Sequence, residues 1–140
     1  MEKLIKKAYE ICMSAHEGQT DKMGMPYHLH PERVAGRCST DAEIIVALLH
    51  DTIEDSDITA EYLLKEGFTE EIVEAVLSVT KREGENYEDF VARAKMNPIG
   101  RIVKIHDLED NMDIRRLNEI SDESVARLRK YLKAYHFLRS

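Results

Sequence analysis

Apolar residues recur at helical spacing along almost the whole chain. Leu4, Ala8, Ile11, Cys12 and Ala15 share one face of a first helix. The stretch "GQTDKMGMPYHLHP" (Gly18–Pro31) breaks the pattern with Gly24, Pro26 and Pro31 and reads as a loop. A short helix is expected from about Pro31, with proline in the first turn, where it is tolerated. "STDAEIIVALLHDTIED" opens on Ser39 or Thr40 as a cap. It is apolar nearly all round between Ile44 and Leu49, which marks a central buried helix. Thr59 caps "TAEYLLKEG", and Gly67 ends it. Thr69 caps "TEEIVEAVLSVTK", with Ile72, Val73, Val76, Leu77 and Val79 facing inward. "KREGENYED" is a polar connector, and Asn86 caps the helix that follows. Pro98 stands near the start of "NPIGRIVKIHDLEDNMDIRRL". Ser121 caps a last helix with Val125, Leu128, Leu132 and Tyr135 at heptad-like spacing; its apolar face packs on the chain's own core or associates with a second copy. No segment alternates polar and apolar residues with a period of two, so no sheet is expected. The fold class is all-α, with about eight helices of modest length. No repeat, low-complexity stretch or linker divides residues 1–140, so one domain is expected.

Composition narrows the classes. The chain carries 27 acidic and 20 basic side chains in 140 residues, a formal charge of -7. That disfavours nonspecific binding to nucleic acid or to an anionic membrane, both of which need a basic face. It leaves room for a small anionic ligand in a local basic pocket. Cys12 and Cys38 fit no CxxC pattern and read as reduced thiols packed in the core. The N-terminal stretch is amphipathic and has no signal-peptide core, and Ile44–Leu49 is too short to cross a bilayer. A soluble cytoplasmic protein is the reading.

The chemistry concentrates where the buried run ends. "ALLHDTIEDSD" (Ala47–Asp57) sets His50, Asp51, Glu54, Asp55 and Asp57 directly after apolar residues. Carboxylates near a helix C-terminus oppose its dipole, and like charges at i,i+4 repel, so a bound cation is the natural compensation. His50 and Asp51 would reach one metal in a concave site, with Glu54 and Asp55 one turn on, near its water. That arrangement suits a metal hydrolase, in which the ion acidifies a water and a carboxylate takes the proton. One helix cannot complete the shell. "KIHDLEDNMD" offers Asp107, and "YHLHP" offers His28 and His30 on a rigid loop. A mixed nitrogen and oxygen site suits Mn, Fe or Zn better than Ca or copper. Taken singly, each of these residues has an ordinary alternative, as a surface pair, a backbone-satisfied loop histidine or a solvated helix end. Their co-occurrence favours the metal.

In order, "AHEGQ", "GMPYHLHPERVA", "ALLHDTIED", "VTK" and "KIHDLEDNM" resemble the HD-domain superfamily. Within it they are most similar to the hydrolase domain of the RelA/SpoT proteins and the small single-domain alarmone hydrolases. The resemblance runs from about Ala15 to Leu117. It implies an all-helical metal-dependent phosphohydrolase with one divalent ion, Mn foremost and Fe, Zn or Mg as alternatives. It implies His30, His50, Asp51 and Asp107 as ligands, and Glu54 and Asp55 as the pair that acts on the attacking water. Asn111 matches the asparagine near the bound nucleoside, and Tyr27 and Lys22 lie where the family's loop approaches the nucleotide. His28 takes a variable position and is not expected to ligate. His16 matches the histidine of "AHxGQ", with a structural role at a helix end as good a reading as a functional one. Two departures stand out. Asp21 occupies the place of a base-stacking arginine, and a carboxylate neither stacks on guanine nor pairs with phosphate. "KIHDLEDNMDIRRL" makes His106 and Asp110 unusual and moves Arg115 and Arg116 slightly later than the family's arginine.

The expected function is release of pyrophosphate from the 3′ position of a guanosine tetra- or pentaphosphate-like nucleotide. Lys22, Lys81 or Arg82 could neutralise phosphate charge, although each also reads as a solvated surface charge. The alternatives are an HD-domain phosphatase for a different nucleotide or phosphomonoester, and a non-catalytic nucleotide-binding helical module. Glu54 and Asp55 argue against the last, since a purely structural metal needs neither. The expected partner is a small nucleotide, with no nucleic acid and no membrane. A chain of 140 residues has no room for the synthetase domain of long family members, so pyrophosphokinase activity is not expected.

Overall fold

The side-chain caps start the helices where local chemistry says they should. The computed structural model describes residues 1–140, and these form nine α-helices and one 3-10 turn. In order they are α1 (Glu2–Ala15), α2 (Leu29–Gly36), α3 (Asp41–Leu49), α4 (Thr52–Asp55), α5 (Ala60–Lys65), α6 (Glu70–Ser78), α7 (Tyr87–Lys95), α8 (Pro98–Asn111), the 3-10 turn Ile114–Arg116, and α9 (Asp122–Arg139). Thr40 rather than Ser39 caps α3, in a reciprocal box with Glu43. Thr59, Thr69, Asn86, Asn97 and Ser121 cap their helices through a side-chain oxygen, each worth about 1 kcal/mol. Gly67 follows α5 with φ 101, a backbone state open to glycine. There is no strand. One isolated bridge between Thr20 and Pro26 pinches the loop after α1.

α3 is the axis of the fold. Ile45, Val46, Ala47, Leu48 and Leu49 are all buried, and α1, α2, α6 and α8 pack around them. A smaller cluster of Val91, Ile105, Leu108, Ala134 and Leu138 joins α7, α8 and α9. α8 approaches α6 so closely that a Cβ at Gly100 would collide with Ser78 Oγ.

Four details differ from the sequence reading. The helix expected to run through Asp55 is divided: α3 ends at Leu49 and α4 starts at Thr52. The His50 ring donates from Nδ1 to the Ala47 carbonyl at 2.6 Å, and Thr52 Oγ1 donates to the Leu49 carbonyl at 2.8 Å. Side chains thus take over carbonyls that the helix would otherwise use. α2 starts at Leu29, so His30 stands in a helical first turn and not on a loop. Pro31 fits there because its missing N–H has no intrahelical acceptor at that position. Leu77 is exposed, as are Val125 and Leu132. The buried face of α9 runs instead through Ser124, Ala134 and Leu138, which meet α7 and α8. No helix is long and apolar enough to cross a membrane.

Candidate metal centre and adjoining cleft

Three buried side chains from three helices converge. His30 from α2, His50 at the end of α3 and Asp107 from α8 bring ligand atoms within 4.8 Å of one another. His30 Nε2 lies 2.8 Å and His50 Nε2 3.4 Å from Asp107 Oδ1. The far side of each ring explains why Nε2 faces inward. A carbonyl can only accept, so His50 Nδ1 carries the proton it donates to Ala47. His30 Nδ1 donates to Asp110 Oδ2 at 2.7 Å in the same way. Both rings therefore present Nε2 to the shared space, with the carbonyl or carboxylate backing that metal-binding imidazoles use. His50 Nε2 is buried and makes no hydrogen bond. Two imidazole nitrogens and a carboxylate, one nitrogen unpartnered, are a donor set that fits a divalent cation.

Asp51 stands at the edge of this cluster. Its Oδ2 is 3.1 Å from His50 Nε2 and 3.9 Å from His30 Nε2, and it accepts a hydrogen bond from Tyr27 Oη at 2.7 Å. Asp107 is held at both oxygens: Lys104 Nζ donates to Oδ2 at 2.8 Å, and Asn111 Nδ2 to Oδ1 at 3.2 Å. Asp110, fully buried, accepts from Arg33 and Arg116 as well as from His30. Burial opposes charge on every one of these groups, and their mutual attraction overrides it. Hydrogen bonds to Asp107 and Asp110 hold the His30 pKa above the usual imidazole value. The charges of Asp51 and Asp107 beside it raise that of His50 well above that value. Asp107 is pulled well below the carboxylate range by Lys104 and the two histidines.

Glu54 and Asp55 sit beside the cluster on α4. Glu54 Oε1 accepts from the Lys81 main-chain N–H at 2.5 Å, which ties α4 to the connector after α6. Gln19 Nε2 donates to the Asp55 carbonyl at 2.8 Å from the other side. Both carboxylates reach solvent but stand partly against protein. That burial, with the nearby Asp51 charge, raises the pKa of each.

A cleft of about 360 Å³ adjoins the cluster, shared through Tyr27 and Asn111. Lys22, Arg116 and Arg127 bring positive charge to its wall, and Met23, Leu128 and Tyr131 bring apolar surface. Burial and the nearby Arg127 lower the pKa of Lys22.

No family model matches the sequence. A GTP pyrophosphokinase of Myxococcus xanthus is 35% identical over 143 aligned positions, which cover 89% of this chain and 18% of that protein. A guanosine-3′,5′-bis(diphosphate) 3′-pyrophosphohydrolase of Aquifex aeolicus is 38% identical over 120, covering 77% and 17%. The bifunctional (p)ppGpp synthase/hydrolase SpoT of Escherichia coli is 36% identical over 91, covering 62% and 13%. The chain is homologous to the HD domain of SpoT-type proteins. It spans less than a fifth of the length of these relatives. A solved structure, described as a metazoan orthologue of SpoT that hydrolyses ppGpp and plays a role in starvation responses, superposes with a TM-score of 0.76 at 18% identity. That match covers 96% of this chain and 84% of the other, and it is a match of fold.

The residues that the sequence points to separate cleanly. His30, His50, Asp51 and Asp107 meet, Glu54 and Asp55 follow on the helix that Asp51 opens, and Lys22, Tyr27 and Asn111 line the cleft. His28 pairs with Glu32 and His106 with Glu109, each one turn along its own helix and outside the cluster. Lys81 contributes its main-chain N–H to Glu54, and the main-chain N–H of Arg82 donates to Glu85 Oε1. Asp21 spends Oδ1 on its own loop, accepting from Met23 N at 2.9 Å and Met25 N at 3.0 Å. Lys104, Arg127 and Tyr131 were not singled out from sequence. Lys104 was visible as an i,i+3 partner of Asp107. Arg127 and Tyr131 share a face of α9 at i,i+4, but nothing local says that α9 closes this cleft.

Proposed function

We propose that residues 1–140 act as one HD phosphohydrolase domain that releases pyrophosphate from the 3′ position of a guanosine tetra- or pentaphosphate-type nucleotide. The observation that carries the reading is the convergence of His30, His50 and Asp107, both imidazoles aimed inward by fixed Nδ1 partners, beside a cleft whose wall carries Lys22, Arg116 and Arg127 against Asp21 and Asp113. The activities for which the Aquifex relative and the metazoan orthologue are named support the substrate class. His30, His50, Asp51 and Asp107 would hold the ion, Mn foremost, with Fe, Zn or Mg as alternatives. When bound, a divalent ion polarises a phosphoryl oxygen and acidifies a water. Glu54 and Asp55 then orient the attacking water and take its proton at a carboxylate oxygen; their raised pKa values bring them closer to working pH. Lys22, Arg116 and Arg127 offset phosphate charge, while Tyr131 and Met23 offer flat or apolar surface to the base. Asn111 orients the Asp107 carboxylate and reaches the nucleoside side of the cleft. Free Cys12 and Cys38 suit the cytoplasm.

Asp21 favours a second reading. With its carboxylate committed to its own loop, no side chain at that position stacks on a base, so the same centre would serve a different nucleotide. One experiment separates the readings. Manganese-loaded protein is assayed for pyrophosphate release from ppGpp and for phosphate or pyrophosphate release from a nucleotide panel. Release from ppGpp that Glu54→Gln lowers at least 100-fold supports the first. Preference for a non-guanine compound supports the second. Hydrolysis unchanged in Glu54→Gln would refute the catalytic assignment.

A further inference from the structure

His16 is a fully enclosed imidazole for which the metal centre has no use. It follows α1 as its C-cap residue and is 1% exposed. Its Nδ1 lies 2.8 Å from Gln19 Oε1. The other end of that amide is already committed, since Nε2 donates to the Asp55 carbonyl at 2.8 Å and to the Ala15 carbonyl at 3.2 Å. Gln19 Oε1 can therefore only accept, and His16 Nδ1 must donate. In the neutral ring this leaves a lone pair on Nε2. That atom is buried and has no hydrogen-bond partner. Leaving a buried polar atom unpaired is costly, so a partner is expected in the working state.

The surroundings say where that partner lies. The His16 ring packs against Tyr27 with centroids 4.9 Å apart, and Tyr27 donates to Asp51. The His16–Gln19 pair ends on the last residue of α4. We infer that His16 is a positioning residue for Asp55: Nδ1 fixes the end of α4 through Gln19, and Nε2 accepts a hydrogen bond from a buried water that also donates to the Asp55 carboxylate. This rests on the phosphohydrolase reading for its consequence, since Asp55 is there a group that orients the attacking water.

The two nitrogens can be tested apart. His16→Asn keeps a donor near Nδ1 for Gln19 and removes Nε2, whereas His16→Gln extends an acceptor towards Nε2. His16→Asn is expected to lower kcat about 10- to 100-fold with KM, metal affinity and melting temperature held, and His16→Gln to recover most of the rate. Wild-type kcat in His16→Asn overturns the inference, and so does a rate loss that merely follows lost folding or metal. Nitrogen-15 NMR of labelled histidine in the metal-loaded protein supplies a readout independent of turnover. The expected spectrum shows the Nδ1–H tautomer for His16, with an Nε2 resonance that moves in Asp55→Ala. An active enzyme whose His16 Nε2 signal ignores Asp55→Ala overturns the inference and leaves the function standing. A coupled signal in a protein that hydrolyses no nucleotide supports the His16–Asp55 link and overturns the function.

Discussion

Asp110 touches no substrate-facing surface, yet the orientation of His30 depends on it. Its carboxylate accepts the His30 Nδ1 proton at 2.7 Å while Arg33 and Arg116 hold it in place. In Asp110→Asn the arginines would keep the amide oxygen and turn its NH2 group towards His30. The imidazole would then have to accept at Nδ1 and carry its proton on Nε2, the nitrogen proposed to hold the ion. Metal affinity is expected to fall about 10- to 100-fold, measured by competition with a chelator of known affinity. Unchanged affinity would show that His30 does not depend on Asp110 for its tautomer. Asp110 was legible in the sequence only as an oddity inside "KIHDLEDNM". Its partner is 80 positions away, and no local pattern reports that α2 lies across α8. The meeting of His30, His50, Asp51 and Asp107 was legible through the resemblance, because each residue belongs to a short motif. The tilt of each ring was not, because it depends on atoms from other segments.

At the scale of elements, the capping residues were legible because a cap is a contact across three positions. Thr59, Thr69, Asn86 and Ser121 act where the sequence placed them. The break between α3 and α4 was not legible, since "HDTIED" continues a helical rhythm and the interruption comes from the His50 ring and the Thr52 hydroxyl. Leu77 fails for a related reason: periodicity names a face, but the neighbouring helices decide how much of it is covered. The connector that holds Glu54 is itself held from α7. Arg93 donates to the Leu77 and Thr80 carbonyls at 2.7 Å each and to Glu85 at 2.9 Å. Its hydrogen bond brings the Glu85 pKa down to about 2. An unfolded glutamate titrates near about 4.3. The folded value is the lower one, so the stability from this pair is fully present above pH about 4.3 and is lost as pH falls towards 2. Glu85→Gln is therefore expected to melt below the parent at pH 7, with the gap narrowing between pH 4 and 2. Thermal melts across that range test it, and a gap that ignores pH would remove the ion pair from the account.

For the whole molecule, the candidate centre is a junction. α2, α3 and α8 each supply one side chain, and α3 is the helix around which the rest packs. A ligand that binds this junction and not the unfolded chain must raise global stability, by about 2.7 kcal/mol at a hundredfold excess over Kd. For a chain of this size that corresponds to a melting shift of about 5–10 °C on adding manganese, reversed by a chelator. The shift has a pH signature with a definite sign. His30 and His50 hold their protons more tightly than ordinary imidazoles, and the ion must displace those protons. Stabilisation by metal should therefore fade as pH falls, beginning above the usual histidine range. His50→Ala should abolish the shift at every pH while leaving the outer carboxylates untouched. That control matters because the chain carries a net charge of -7 and offers many exposed acids to a divalent ion. An equal shift in parent and variant would mean that manganese stabilises the protein by screening its surface, and the junction of the three helices would then have no claim to the metal.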